Sequence, residues 1–143
     1  MTTHTDARAV DPAIRRTLDA IVDAYLRGDF AAFIANYLPA DTTTLVVQAP
    51  NPDPDKGPYN KVLIGIDAIR EFYADADIFK PDFAHPRLSF DEVHVTDVAP
   101  DVVNLVAICS ITSDDVRLPD GALVSLLLRN VDGRWLIMHD HTH

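Results

Sequence analysis

Apolar positions along this chain recur with two different periods, and the change of period divides it. Ile14, Leu18, Ile21, Val22, Tyr25 and Leu26 fall three and four residues apart, one stripe of a helix, with Arg15, Arg16, Asp19 and Asp23 largely outside it. Asp11-Pro12 supplies a capping carboxylate and a proline at the first helical position, and Gly28 ends the helix. Asp29 caps a second, short helix over Phe30–Tyr37, which Leu38-Pro39 stops. Thr42–Gln48 is β-branched and alternating, hence a strand, and Lys61–Ile64 is another. A proline-rich excursion over 49–60 lies between them, long enough to be a candidate lid or rim. After Gly65, Asp67 starts a third helix that carries Ile69, Phe72 and Tyr73 inward and frays at Asp75 and Asp77. Beyond a connector at Pro81–Pro86 the period becomes two, which predicts strands at Leu88–Val98, Val102–Thr112 and Ala122–Arg129, and a closing strand to the end. A turn at Ala99-Pro100-Asp101 and a polar loop over Ser113–Gly121 separate them. The order is α+β: three helices on one side of a curved, mixed but mostly antiparallel sheet.

The last hairpin can be read in register. Asp132-Gly133 between two apolar runs is a strong hairpin signal. A two-residue turn there sets Val131 opposite Arg134, and counting back sets Leu127 opposite Met138, Ser125 opposite Asp140 and Leu123 opposite Thr142. The other face then pairs Leu128 with Ile137, Leu126 with His139 and Val124 with His141, and it also carries Trp135. Asp140 and the two histidines must point to opposite sides, and one looped-out residue would exchange the faces.

Composition narrows the function classes. A chain of 143 residues, 48% hydrophobic, is long enough to bury roughly two thirds of its unfolded surface in one core. Cys109 lies inside the apolar run Val102–Ile111 and reads as a buried, inert thiol, which fits a cytoplasmic protein. No stretch approaches the roughly 18 apolar residues of a membrane helix. Residues 1–12 lack the pattern of a secretion signal and read as a polar, disordered lead-in to a single domain over 13–143. Twelve basic against 22 acidic residues give a formal charge of −10, which repels nucleic acid and anionic membranes.

Three motifs in a fixed order then carry a resemblance. They are Arg27-Gly28-Asp29-Phe30 after the first helix, Gly65-Ile66-Asp67-Ala68-Ile69 opening the third, and the terminal Asp-Gly-Arg-Trp-x-Ile-x-His-Asp-His over 132–141. From about Ile14 to His143 the chain resembles the nuclear-transport-factor-2-like superfamily, and within it the SnoaL-like (SgcJ/EcaC-type) proteins. The resemblance implies a cone-shaped roll in which the helices close a deep, mostly apolar pocket over the concave sheet, commonly in a homodimer packed sheet to sheet. It also implies chemistry to be sought residue by residue, because this fold hosts many functions. The steroid-isomerase tyrosine falls on Ile21, its protonated aspartate near Ser125, and its base among Val46–Gln48, so none of the three roles is kept. The limonene-type epoxide hydrolases use an aspartate on the last strand, which Asp140 matches. Their arginine-x-aspartate pair is missing from Val102–Thr112.

Asp140 is the leading candidate for catalysis, since a carboxyl desolvated on the concave face becomes useful for moving protons near neutrality. His141 and Tyr25 are candidates to act with it, the tyrosine as a hydroxyl donor to a substrate carbonyl. Tyr37, Phe72, Tyr73, Ser125, Met138, Trp135 and His139 are the expected substrate contacts. His139 and His141, spaced i and i+2, could share a metal ion, but the sequence offers no further ligand cluster, and neither a metal nor another cofactor is expected. The expected function is cofactor-independent cyclisation, isomerisation or dehydration of a hydrophobic, polyketide-like molecule. The alternative is a non-catalytic ligand-binding or oligomerisation domain of the same fold.

Overall fold

The computed structural model describes residues 4–5, 10–49, 51–76, 79–80, 87–112 and 122–142. The expected connector at 81–86, the loop at 113–121 and Asp77 lie outside the described residues. Helix α1 spans Pro12–Arg27. The Asp11 carboxylate accepts the Ala13 amide at 2.7 Å, and Gly28 closes the helix in the left-handed conformation, φ 63°. Ile14, Thr17, Leu18, Ile21 and Ala24 form its buried face. Asp29 caps α2, Phe30–Ile34, through the Ala32 amide.

Helix α2 stops three residues short of the Tyr37 boundary that the sequence suggests. Asn36 accepts the Ile137 amide at 2.8 Å, and the Leu38 amide donates to the Ile137 carbonyl at 2.7 Å. This segment therefore runs as a short parallel partner of the last strand, with Tyr37 opposite Ile137. A long-range hydrogen-bond partner takes the groups that another helical turn would have used.

The strands are β1 His4–Thr5, β2 Thr44–Ala49, β3 Tyr59–Ile64, β4 Arg87–Ala99, β5 Val102–Thr112, β6 Ala122–Val131 and β7 Arg134–Thr142, with α3, Ile66–Ala74, between β3 and β4. They form one sheet in the order β1-β4-β5-β6-β7-β2-β3. Among the described strands β2 and β7 pair in parallel, as the Tyr37 segment does with Ile137, and the other strand pairings are antiparallel. The architecture is thus α+β, with a mixed sheet and few helices. Residues 1–12 are not wholly the unstructured lead-in expected, because His4 and Thr5 pair with Thr96 and Val95 at the sheet edge.

The sheet's inner face packs on the helices through Val93, Val95, Leu105, Ala107, Val124, Leu126 and Ile137, all buried. Gly65 turns the chain from β3 into α3 with φ 94° and ψ 147°, a conformation that L side chains rarely adopt. That turn brings Ile69 and Tyr73 onto the core. The 51–58 segment between β2 and β3 is almost wholly exposed, and none of its residues reaches the cavity described next.

The hairpin register holds from the turn to Leu128, which pairs with Ile137, and then slips by one. Met138 is looped out in a β-bulge, so Leu127 pairs with His139, Leu126 with Asp140 and Ser125 with His141. The bulge lets Trp135, Ile137, Asp140 and Thr142 share the inner face, while His139 and His141 point outward.

Candidate functional site

A cavity of about 410 Å³ lies between the helices and the inner face of the sheet. Helix α1 contributes Ile21 and Tyr25, α2 and its exit Phe33 and Tyr37, α3 Phe72 and Tyr73, and the sheet a floor that includes Phe90, Val124, Leu126 and Asp140. These aromatic rings interlock: Phe33 meets Tyr25 and Tyr73 edge to face at centroid distances of 5.2 and 4.8 Å, and Tyr73 meets Phe72 at 5.1 Å.

Asp140 is the only charged side chain among the described residues that line the cavity, and it is 6% exposed. The Tyr37 hydroxyl donates to its Oδ2 at 2.7 Å, and the Thr142 hydroxyl donates to Oδ1, also at 2.7 Å. The Tyr37 and Tyr73 rings lie beside each other, with centroids 6.3 Å apart.

Burial pushes the Asp140 carboxyl above the ordinary carboxylate range. The bonds from Tyr37 and Thr142 oppose the rise, as do the His139 and His141 rings across the sheet. Burial, and after it the nearby Asp140 charge, lifts the Tyr25 phenol above its usual value, and burial and Asp140 do the same to Tyr37. Tyr73 is raised by burial, then by Tyr25 and Asp140. All three tyrosines are therefore hydrogen-bond donors across the physiological range. Burial takes the Cys109 thiol up to about 12, consistent with an inert wall residue.

Of the residues singled out from sequence, the structure brings Asp140, Tyr25, Tyr37, Phe72 and Tyr73 together. It does not bring in His141, Ser125, Met138, Trp135 or His139. His141 is exposed on the outer face opposite Ser125, and His139 sits there against the Thr44 hydroxyl. Met138 is the bulged residue. Trp135 is buried in the core, on the inner face rather than with the histidines, and its carbonyl accepts the Thr17 hydroxyl at 2.8 Å. Among the described residues no three His, Cys, Asp or Glu side chains converge as a metal site. Thr142 was missed, although its position two residues after Asp140 on a strand signals the shared face. Phe33, Phe90 and Cys109 were missed because apolar positions inside periodic runs look like any other core residue.

The sequence pattern of the SnoaL-like domain matches residues 14–142. The chain belongs to the SnoaL-like family. No curated protein matches it. Solved structures extend the likeness to a nuclear-transport-factor-2-like fold. A protein of unknown function with that fold from Shewanella oneidensis is 21% identical, with a TM-score of 0.66 over 91% of this chain and 95% of its own. A candidate calcium/calmodulin-dependent protein kinase type II association domain from Thiobacillus denitrificans is 19% identical, TM-score 0.66, over 93% and 95%. A candidate aromatic ring hydroxylase from Novosphingobium aromaticivorans is 17% identical, TM-score 0.62, over 91% and 86%. At these identities the likeness establishes the fold and leaves the chemistry of this SnoaL-like domain to its own residues.

Proposed function

We propose that this SnoaL-like protein binds a small, largely apolar molecule in the cavity and catalyses cofactor-independent proton transfer on it. Isomerisation, dehydration or cyclisation of a polyketide-like carbonyl compound would each use that step. The observation that carries the reading is Asp140, an almost wholly buried carboxyl that is the one charged group among the described residues lining an aromatic cavity. The carboxylate removes a proton from carbon next to the carbonyl and returns it elsewhere, while a tyrosine hydroxyl donates to the oxygen as it gains charge. Tyr37 holds the carboxyl in place, and Tyr25, whose hydroxyl makes no hydrogen bond among the described residues, is free to be that donor. His141 has no part in this mechanism.

The test uses a generic substrate. Wild-type protein should accelerate deuterium exchange at the α-carbon of 2-tetralone in D₂O, and Asp140→Asn should slow that exchange by about a hundredfold or more. Equal rates for the two proteins would remove Asp140 from the role.

An oligomerisation domain is the second reading, and the outer sheet face favours it. Val62, Ile64, Val106 and Leu123 stand exposed there, at 62%, 68%, 43% and 59%. A homodimer packed through this face is compatible with either reading, since the cavity lies on the other side of the sheet.

A further inference from the structure

Among the described residues that line it, the cavity has one negative group and no positive one. Tyr25 reaches toward Asp140 from α1, Tyr37 from the end of α2, Tyr73 from α3 and Thr142 from its own strand, with Cys109 on β5 and the neutral neighbours Leu45 and Leu126 beside it. None of these can become a cation. His139 and His141 act on the carboxyl only from the opposite face of the sheet. Both carboxyl oxygens have a hydroxyl donor, so hydrogen bonding is satisfied while charge is not. A buried carboxylate is normally paired, and none of the described residues that line the cavity supplies a cationic partner.

A second cavity continues the same pattern outward. It shares Phe72 and Ala76 with the first, and its other lining residues include Glu71, Asp75 and Lys61. Glu71 and Asp75 are exposed and make no ion pair among the described residues. Lys61 faces the inner side because it pairs with Val47, a cavity residue. Its ammonium rests over the Phe72 ring, 5.4 Å from the centroid, rather than on either carboxylate. The wall between the two cavities thus already holds a cation by its aromatic face.

We propose that the inner cavity also takes up an organic amine in place of the carbonyl compound, an aromatic or alicyclic body whose protonated nitrogen pairs with Asp140. The inference rests on reading the cavity as a small-molecule site and does not depend on proton transfer to carbon. Proton balance is simple. If the carboxyl is protonated when the free base arrives, its proton passes to nitrogen; if it is ionised, the ammonium brings its own proton from water. Both routes end in one ion pair, a carboxylate and an ammonium, closed off by Tyr37 and the surrounding rings. The carboxylates of Glu71 and Asp75 and the chain's charge of −10 favour the approach of a cation.

Three probes with one aromatic body separate the possibilities: tryptamine, the neutral tryptophol and the anionic indole-3-acetate, titrated calorimetrically at pH 7. Tryptamine should bind wild-type protein about tenfold or more tighter than tryptophol, with indole-3-acetate weakest. Asp140→Asn should bring tryptamine and tryptophol together while leaving tryptophol nearly unchanged. Wild-type protein that binds tryptophol as tightly as tryptamine, or that binds no tryptamine, overturns the proposal without recourse to any variant. A tryptamine preference that survives Asp140→Asn overturns it as well. Loss of 2-tetralone exchange with cation preference intact would instead count against proton transfer alone.

Discussion

Asp140 is held where its ionised form is costly, and that has a sign. Burial sets its pKa in the folded protein above its value in the unfolded chain. Between those two values the folded state binds more protons than the unfolded state, so stability falls as pH rises through the folded value. Asparagine cannot ionise and keeps an oxygen for Tyr37. Asp140→Asn should therefore be more stable than wild type at pH 8, with the difference shrinking toward pH 4, by about 1.4 kcal/mol for each unit of the rise. Paired denaturant titrations at several pH values measure this; a difference that stays constant with pH would show that the carboxyl is not desolvated. Tyr25 and Tyr73 could be placed on inward helical positions from spacing alone, whereas Tyr37, expected on a helix as well, lies past the end of α2. What spacing could not reveal is which hydroxyl meets which group. The bond from Tyr37 to Asp140 joins residues 103 positions apart.

At the scale of elements, the helical stripe of α1, its Asp11 and Gly28 ends and the two-residue hairpin were legible because each is a local pattern with a local cause. The Met138 bulge was not. Leu127, Leu128, Ile137 and His139 all suit a regular strand, and nothing local singles out the extra residue. The bulge falls where β7 changes its parallel partner from Tyr37, opposite Ile137, to Thr44, opposite His139. The boundary of α2 moved for the same reason. The end of α2 and the inward turn of Asp140 are thus set by contacts between distant parts of the chain. Gly65 is the comparable device between β3 and α3, and it can be tested. A Cβ there would lie 3.4 Å from the Asp41 carbonyl oxygen, on a backbone at φ 94°. Gly65→Ala should cost about 1–3 kcal/mol, read as a lower denaturant midpoint; an unchanged midpoint would mean that the turn relaxes freely.

Across the whole molecule the sheet separates two surfaces of different character. Its inner face and the helices make the cavity, while its outer face exposes β-branched and leucine side chains beside the outward histidines. In the dimer proposed through that face, Val106→Glu combined with Leu123→Glu should convert the assembly to monomer in native mass spectrometry and leave 2-tetralone exchange unchanged. A monomeric wild-type protein would contradict the dimer and leave the cavity's reading intact. No helix among the described residues is long and apolar enough to cross a membrane. The central claim, that Asp140 moves a proton inside an aromatic cavity, is met most directly by following α-proton exchange of 2-tetralone in D₂O by NMR. The wild-type protein, Asp140→Asn and Tyr25→Phe would be compared at equal concentration. The account predicts fast exchange with wild type, a loss of about a hundredfold or more with Asp140→Asn, and a smaller loss with Tyr25→Phe. Exchange with wild type no faster than in buffer, or undiminished by Asp140→Asn, would contradict it.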